Sequence, residues 1–233
     1  MSATVNVCKP IVTKFCDATR TQEALTAPLE RKTLQWLAAR TPEWITPDHL
    51  TALGFAAQLL AGAAYALAYW NKWFLLLASA FIALNWYGDS LDGTLARFRQ
   101  KLRPRYGFYV DHMVDTFGAS ALMLGLAASG YLHWQAALAM LLSFLVLSIE
   151  TFLAAYTLAD FRLSHGLFGP TEIRLLLIAG NIALLVHPYA HLFGRDFLLF
   201  DVGAVVATLG MWAMAIVATV QHTRRLYVEE RLP

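Results

Sequence analysis

The sequence predicts an all-α integral membrane protein with about six transmembrane helices, preceded by an amphipathic helix at the membrane interface. Of its 233 residues, 58% are hydrophobic and only 15% are charged, whereas soluble domains carry about 25% charged residues. Several windows of 18 or more residues are almost free of charge, and this length is enough to cross about 30 Å of hydrocarbon. Because the apolar runs are long and lack period-two alternation, a transmembrane β-barrel is disfavoured.

An N-terminal segment is predicted to cover residues 1–45, as a cytoplasmic tail followed by a helix at 24–40. In this helix Leu29, Trp36 and Leu37 lie among charged residues, a composition typical of a helix at headgroup depth with its tryptophan at the interface. A soluble helix that caps the domain is the alternative. The two cysteines of this segment, Cys8 and Cys16, are expected to be reduced and to form neither a disulfide nor a zinc site.

The membrane domain is predicted to cover residues 46–233. Proline suits the first turn of a helix because its missing N–H has no intrahelical acceptor there. Pro47 is therefore expected to open the first span, and Pro170 the fifth. Six spans are predicted, near residues 49–70, 73–97, 107–130, 134–159, 172–189 and 199–222.

Positive charge is concentrated in the loop after the second span. This loop holds five basic residues, namely Arg97, Arg99, Lys101, Arg103 and Arg105. Because basic loops tend to remain in the cytoplasm, we expect this loop and, with six spans, both termini to be cytoplasmic. The net charge of +2 is too small to indicate nucleic-acid binding.

Four aspartates flank this basic loop, and their spacing places them on two helix faces. The first face carries residues at i, i+3, i+4, i+7 and i+8, which are Asp89, Asp92, Gly93, Ala96 and Arg97. The second carries residues at i, i+4 and i+8, which are Gly107, Asp111 and Asp115. Because the connection is short and contains Pro104, the two helices are expected to be antiparallel neighbours whose acidic faces converge at the cytoplasmic edge.

Clustered carboxylates repel one another and are costly in a membrane. Divalent cations with oxygen ligands, Mg²⁺ or Mn²⁺, would neutralise them, and a pair of such ions is a known device for displacement at phosphorus. Gly93, Ala96 and Gly107 leave room for a phosphate-bearing substrate, and Arg97 offers a cation to its phosphate oxygens. The alternative for the small residues is close helix packing.

The segments DSLDGTLAR at 89–97 and GFYVDHMVD at 107–115 resemble the signature of the CDP-alcohol phosphotransferase family. The match is complete except that nine residues, rather than eight, separate Arg97 from Gly107. The resemblance implies a membrane enzyme of phospholipid biosynthesis that transfers a phosphate-linked group from a CDP-alcohol to a second alcohol and releases CMP. It also implies a homodimer.

The same resemblance implies a role for each residue of the two faces. Two divalent metals would be held by four ligands, Asp89, Asp92, Asp111 and Asp115. The cytidine nucleotide would be accommodated by Gly93, Ala96 and Gly107, with its phosphates held by Arg97.

Four further segments resemble the choline/ethanolamine phosphotransferase branch. These are PEWITPDHLTALG at 42–54, DHMVD at 111–115 and, more weakly, IETF at 149–152 and TEIR at 171–174. They predict a CDP-choline or CDP-ethanolamine donor and a lipid acceptor such as diacylglycerol. The alternative, favoured by the short chain, is transfer of phosphatidate from CDP-diacylglycerol to inositol, glycerol phosphate or serine.

The acceptor hydroxyl must lose a proton, so the site needs a general base. Asp115 and His112 are the candidates, since an unperturbed imidazole titrates near neutral pH, and His112→Ala is predicted to abolish turnover. Glu150 lies inside the fourth span and is expected to orient His112, or else to pair with a cation such as Arg162 or Arg174. An ion-coupled transporter is a remote alternative, because the acids lie at one membrane edge rather than at its midplane.

Overall fold

The computed structural model describes residues 19–21, 26–158, 160–162, 169–192 and 194–231. The helices and strands of this part of the chain are, in order, β1 (Thr19–Thr21), α1 (Ala27–Arg40), α2 (Pro47–Leu67), α3 (Phe74–Phe98), α4 (Pro104–Ala128), α5 (Trp134–Leu158), β2 (Asp160–Arg162), α6 (Pro170–Val186), β3 (Tyr189–Leu192), β4 (Arg195–Leu198) and α7 (Leu199–Glu229). β1 pairs with β2 in parallel, and β3 pairs with β4 in an antiparallel hairpin. The predictions for Cys8 and Cys16 concern residues outside the described ranges.

Helices α2 to α7 correspond to the six predicted spans. Among the described helices, α2, α3, α5 and α7 are each long and apolar enough to cross a membrane alone. α4 has 25 residues but carries aspartates in its first half, and α6 has only 17 residues. The all-α membrane fold is confirmed, while the hairpin of β3 and β4 between α6 and α7 is a feature that the sequence pattern does not predict.

Prolines open α2 and α6 as predicted, and each start is capped. Before α2, the Thr46 hydroxyl accepts a hydrogen bond from the His49 backbone N–H, and the Thr46 N–H donates to His49 Nδ1, both at 3.3 Å. Before α6, the Gly169 N–H donates to the Glu172 carboxylate at 2.9 Å. These contacts satisfy N–H groups that have no partner within the helix.

Helix α2 lies between α3 and α4, and glycines bring the backbones into direct contact. A Cβ added at Gly88 of α3 would lie 2.6 Å from the backbone nitrogen of Gly54 in α2. A Cβ added at Gly125 of α4 would lie 2.0 Å from the Gly62 carbonyl oxygen, also in α2. Such close approach is typical of membrane helices. Because α3 and α4 carry the aspartates, these two contacts set the separation of the acidic faces.

A buried polar network joins α2, α3 and α6. The Tyr65 hydroxyl donates to Asn181 Oδ1 at 2.9 Å, and Asn181 Nδ2 donates to the Ser79 hydroxyl at 3.0 Å. Tyr65 and Asn181 are fully buried. Such a satisfied network in a low-dielectric core favours one arrangement of the three helices.

Helix α1 packs against the membrane domain through one face. Leu34 and Ala38 are buried against residues of α2 and α3, whereas Leu29 and Trp36 are 71% and 55% exposed. Glu30, which the sequence placed among the polar residues of this helix, is buried with them. Its carboxylate is satisfied there, because it accepts hydrogen bonds from the Trp86 indole N–H at 3.0 Å and the Thr171 hydroxyl at 2.7 Å.

Arg99 of the basic loop holds the linker between α1 and α2. Its guanidinium donates to the carbonyl oxygens of Thr41 and Pro42 at 2.9 Å each and of Ile45 at 2.5 Å. The start of α2 is thereby fixed beside the end of α3. Next to Arg99, Gln100 has a φ of 54°, in the left-handed region that non-glycine residues seldom adopt.

Candidate active site

Three of the four predicted metal ligands, one on α3 and two on α4, form one group, although these helices pack mainly on α2 and not on each other as predicted. One carboxylate oxygen from each of Asp89, Asp111 and Asp115 lies within 4.8 Å of the others. All three side chains are half-buried. Closely spaced carboxylate oxygens are the ligands that Mg²⁺ and Mn²⁺ prefer, so the residues present fit a divalent cation.

The fourth predicted ligand, Asp92, lies one turn farther along α3. Its carboxylate accepts a 2.5 Å hydrogen bond from the hydroxyl of Thr51 in α2, and a second from the backbone N–H of Gly93. Asp92 and Thr51 line the same cavity as the other three aspartates. Sequence reasoning missed Thr51, because only packing of α2 on α3 reveals that it faces Asp92.

The aspartates lie in a cavity of about 1700 Å³ that continues into the apolar part of the membrane domain. It exceeds the roughly 300–1,000 Å³ typical of small-molecule pockets. Its apolar walls come from α4, α5, α6 and α7, and include Leu126, Phe144, Leu177 and Met211. Because α7 packs along α5 and makes few contacts with α6, the cavity extends between α6 and α7.

Glycines that face the cavity differ from those that pack helices together. A Cβ added at Gly107 would have no atom within 4 Å, and one added at Gly93 would meet only the Arg97 guanidinium, at 3.8 Å or more. Ala96 lines the same wall. The space beside these residues is not used by the described part of the chain, so a ligand can occupy it.

The rim of the cavity is rich in basic side chains. Arg97 is exposed and donates to the Thr94 hydroxyl at 3.3 Å. Arg103 forms an ion pair with Asp48 and lies 4.2 Å above the ring of Tyr106. In the described part of the chain, the basic side chains that line the cavity are Arg31, Arg97, Lys101, Arg103 and Arg174.

Arg174 of α6 lies closest to the acidic group. Its Nη2 donates to Asp89 Oδ2 at 2.5 Å, and its Nε donates to Asn85 Oδ1 at 2.9 Å. The sequence indicated Arg174 as an alternative partner for Glu150. The available signal was a charge in an otherwise apolar helix, because such a charge requires an internal partner.

His112 is packed between two aromatic rings. Its imidazole stacks on Phe152 with the centroids 4.6 Å apart, and meets the edge of Phe108 at 4.2 Å. Its Nδ1 lies 3.7 Å from Asp111 Oδ2. Asp115 is among the described residues that line the cavity, and His112 is not.

The Glu150 carboxylate has a partner in His222, which the sequence pattern did not indicate. Its Oε1 lies 2.5 Å from Nδ1 of His222 in α7. The physical reason is helix packing: α5 runs along α7, so His222 supplies the partner that a carboxylate in a span requires. Of the cations weighed as alternatives, Arg174 is bonded to Asp89, and the side chain of Arg162 lies outside the described part.

Glu172 serves as a connector between helices. Its carboxylate accepts hydrogen bonds from the Thr26 backbone N–H at 2.9 Å and the Thr26 hydroxyl at 2.7 Å, in addition to the Gly169 N–H. These bonds tie the start of α1 to the start of α6. Since Arg174 is two residues away, the same contacts fix the turn of α6 that carries this cation.

Comparison with known proteins finds relatives over most of the chain. The family model described as CDP-alcohol phosphatidyltransferase matches residues 44–221. A curated relative, archaetidylinositol phosphate synthase of Pyrococcus horikoshii, is 26% identical over 202 residues, which are 86% of this chain and 89% of the relative.

Crystal structures of phosphatidylinositol phosphate synthase from Mycobacterium tuberculosis share the fold. The form with CDP-DAG bound has a TM-score of 0.50 at 21% identity, over 87% of this chain and 92% of that one. The complex with manganese and citrate has a TM-score of 0.51 at 21% identity, over 87% and 88% of the two chains. At this level of identity the similarity establishes the fold.

Proposed function

The chain belongs to the CDP-alcohol phosphatidyltransferase family, and from this premise we propose that it transfers the phospholipid part of a CDP-linked lipid to a phosphorylated small alcohol of the inositol phosphate type, releasing CMP. The observation that carries the proposal is a basic rim beside the acidic group. Among the described residues, five basic and six acidic side chains line the cavity. Once divalent cations neutralise the four aspartates, the basic side chains would attract an anionic acceptor and disfavour the cationic headgroup of choline or ethanolamine. The curated relative is named for an inositol phosphate product, which supports the same choice.

This proposal replaces the choline/ethanolamine branch that four sequence segments predicted. Residues of those segments have structural contacts in this chain. His49 caps α2, His112 stacks on Phe152, Glu150 meets His222 and Glu172 bonds to Thr26. Because such contacts are compatible with any substrate, the segments do not specify the headgroup.

The CDP-linked lipid donor binds between the two glycine-lined helix faces and in the apolar part of the cavity. Gly93, Ala96 and Gly107 leave space for the nucleotide, and Arg97 binds its phosphates. The lipid chains lie in the apolar continuation of the cavity between α6 and α7. Divalent cations held by the four aspartates, Asp89, Asp92, Asp111 and Asp115, would neutralise charge on the diphosphate and on the departing CMP.

The transfer joins the acceptor hydroxyl oxygen to the lipid-side phosphorus of the diphosphate. The bond from this phosphorus to the bridging oxygen breaks, and the bridging oxygen leaves with CMP. Asp115 accepts the proton of the acceptor hydroxyl, because its carboxylate lines the cavity. A carboxylate that binds a cation through one oxygen keeps its second oxygen as a proton acceptor. Arg174 orients the phosphate of the acceptor.

The proposed function is tested with purified protein in detergent micelles with Mg²⁺ or Mn²⁺. CMP release is measured with CDP-diacylglycerol and with its archaeol counterpart, each combined with inositol phosphate, inositol, glycerol phosphate or serine. We expect release with inositol phosphate, and none when the metal is chelated. Release only from CDP-choline or CDP-ethanolamine with diacylglycerol would overturn the proposal.

Gly107→Leu tests the assigned nucleotide space. The leucine side chain would enter space that the described protein atoms do not use, so we expect the KM for the CDP-lipid to rise at least about tenfold. The midpoint of thermal unfolding should change little, because no packing contact is disturbed. Tyr109→Leu is the control, since Tyr109 is exposed on the same helix and does not line the cavity. Unchanged KM in the Gly107 variant would contradict the assignment.

The orientation in the membrane and the homodimer are part of the proposal. The basic loop favours a cytoplasmic site and cytoplasmic termini. Labelling of a cysteine that replaces Lys101, in a chain whose Cys8 and Cys16 are replaced by serine, should occur in inside-out vesicles and not in right-side-out ones.

For the homodimer, light scattering of the protein–detergent complex should give the mass of two chains.

A further inference from the structure

Asn85 connects α2, α3 and α6 beside the acidic group, and it lines the same cavity. It is 5% exposed and lies one helical turn before Asp89. Its Nδ2 donates to the Gly54 carbonyl oxygen at 3.0 Å, and its Oδ1 accepts from Arg174 Nε at 2.9 Å. Because the amide nitrogen is engaged by Gly54, the amide oxygen has one orientation, which is toward Arg174.

The Arg174 guanidinium is therefore held at two points. Asn85 binds Nε, and Asp89 binds Nη2 at 2.5 Å. A planar guanidinium bound through two of its nitrogens cannot rotate freely, and its remaining N–H groups are presented in a fixed direction. Arg174 lines the cavity, so those N–H groups can reach a bound anion.

The position of Asn85 is itself fixed by the backbone. A Cβ at Gly54 would lie 3.0 Å from the Asp89 backbone nitrogen and 3.4 Å from the Asn85 carbonyl oxygen. This close approach of α2 and α3 lets the short asparagine side chain reach the Gly54 carbonyl. The contact between two helices thus determines where a cation on a third helix lies.

We propose that Asn85 is a positioning residue, which acts by holding Arg174 between Asp89 and the cavity so that Arg174 can bind the phosphate of the acceptor. The claim that Arg174 binds the acceptor phosphate rests on the proposed function. The claim that Asn85 holds Arg174 on Asp89 is independent of it. A guanidinium on this carboxylate opposes binding of a divalent cation there, whatever the acceptor is.

The first test is a double-mutant cycle on the steady-state constants of CMP release. Asn85→Ala should raise the KM for the phosphorylated acceptor about tenfold, with the KM for the CDP-lipid changed less than about threefold. Arg174→Ala should have at least the same effect, and the double variant should equal Arg174→Ala alone, because Asn85 acts only through Arg174. Additive effects, or an equal rise in both KM values, would overturn the proposal.

Asn181→Ala is the matched control for a merely structural role. Asn181 is also a buried asparagine between helices, but it contacts Tyr65 and Ser79 and does not line the cavity. Its replacement should lower the midpoint of thermal unfolding, and it should not raise the KM for the acceptor more than the KM for the CDP-lipid. If Asn181→Ala gives the same KM pattern as Asn85→Ala, the pattern reports general loosening and positioning is excluded.

The second test needs no substrate, so it separates failure of this inference from failure of the proposed function. Mn²⁺ binding to each purified variant is measured by electron paramagnetic resonance of the free ion. Arg174→Ala should bind Mn²⁺ several-fold more tightly than the unaltered chain, since a cation beside a ligand has been removed. Asn85→Ala should change affinity in the same direction, and the double variant should not exceed Arg174→Ala. Independent, additive changes would refute the coupling even if no acceptor is turned over.

Discussion

Asp115→Asn is expected to lower kcat for CMP release by at least about 10³-fold while the protein still folds. The amide has the shape of the carboxylate but accepts no proton and is a poor ligand for Mg²⁺. Asp115 lies within 4.8 Å of Asp89 and Asp111 through its ligand atoms, so removing its charge also relieves repulsion. The midpoint of thermal unfolding should therefore stay the same or rise, which separates loss of chemistry from loss of fold.

Two further variants make this result specific. Asp196→Asn alters an exposed aspartate of the β3–β4 hairpin, whose partner is His191, and should change kcat less than about twofold. His112→Gln removes the other candidate base. In contrast to the expectation from sequence that loss of His112 abolishes turnover, we expect most turnover to remain, because His112 is not among the described residues that line the cavity. Loss of turnover in His112→Gln together with activity in Asp115→Asn would assign the base to His112.

Gly125→Ala is expected to destabilise the protein strongly, although it adds only one methyl group. The added Cβ would lie 2.0 Å from the Gly62 carbonyl oxygen and 2.6 Å from its carbonyl carbon. Backbone atoms cannot yield as a flexible side chain can, so α4 must move away from α2. We expect a loss of about 3 kcal/mol or more in the free energy of unfolding. Activity should fall too, since α4 carries Asp111 and Asp115.

Gly210→Ala provides the matched control. It is also a glycine-to-alanine change inside a membrane helix, but a Cβ at Gly210 would meet no atom within 4 Å. Its effect on stability should be small, or slightly favourable by up to about 1 kcal/mol from helix propensity. Unfolding of both variants is followed by tryptophan fluorescence in the same detergent. Equal stability of Gly125→Ala and Gly210→Ala would show that the α2–α4 contact is looser than the structure indicates.

Local pattern was enough to predict the helices and the acidic faces. The predicted span at 73–97 became Phe74–Phe98, and the one at 134–159 became Trp134–Leu158. The i, i+4 spacing of Asp111 and Asp115 placed them together on α4, and both belong to the acidic group. The packing glycines were harder to identify, because Gly93 and Gly125 look alike in sequence while one faces the cavity and the other touches the Gly62 backbone.

The sequence by itself determined the membrane fold, the helix ends marked by proline, and the aspartate faces, because hydropathy and the 3.6-residue period depend on neighbours within a few turns. Only the tertiary structure decided which partner each buried polar group takes. Glu150 meets His222 from 72 residues away, Asp89 meets Arg174 from 85, and Glu172 meets Thr26 from 146. A buried charge requires some partner wherever it lies, but the packing of distant helices determines which one is within reach.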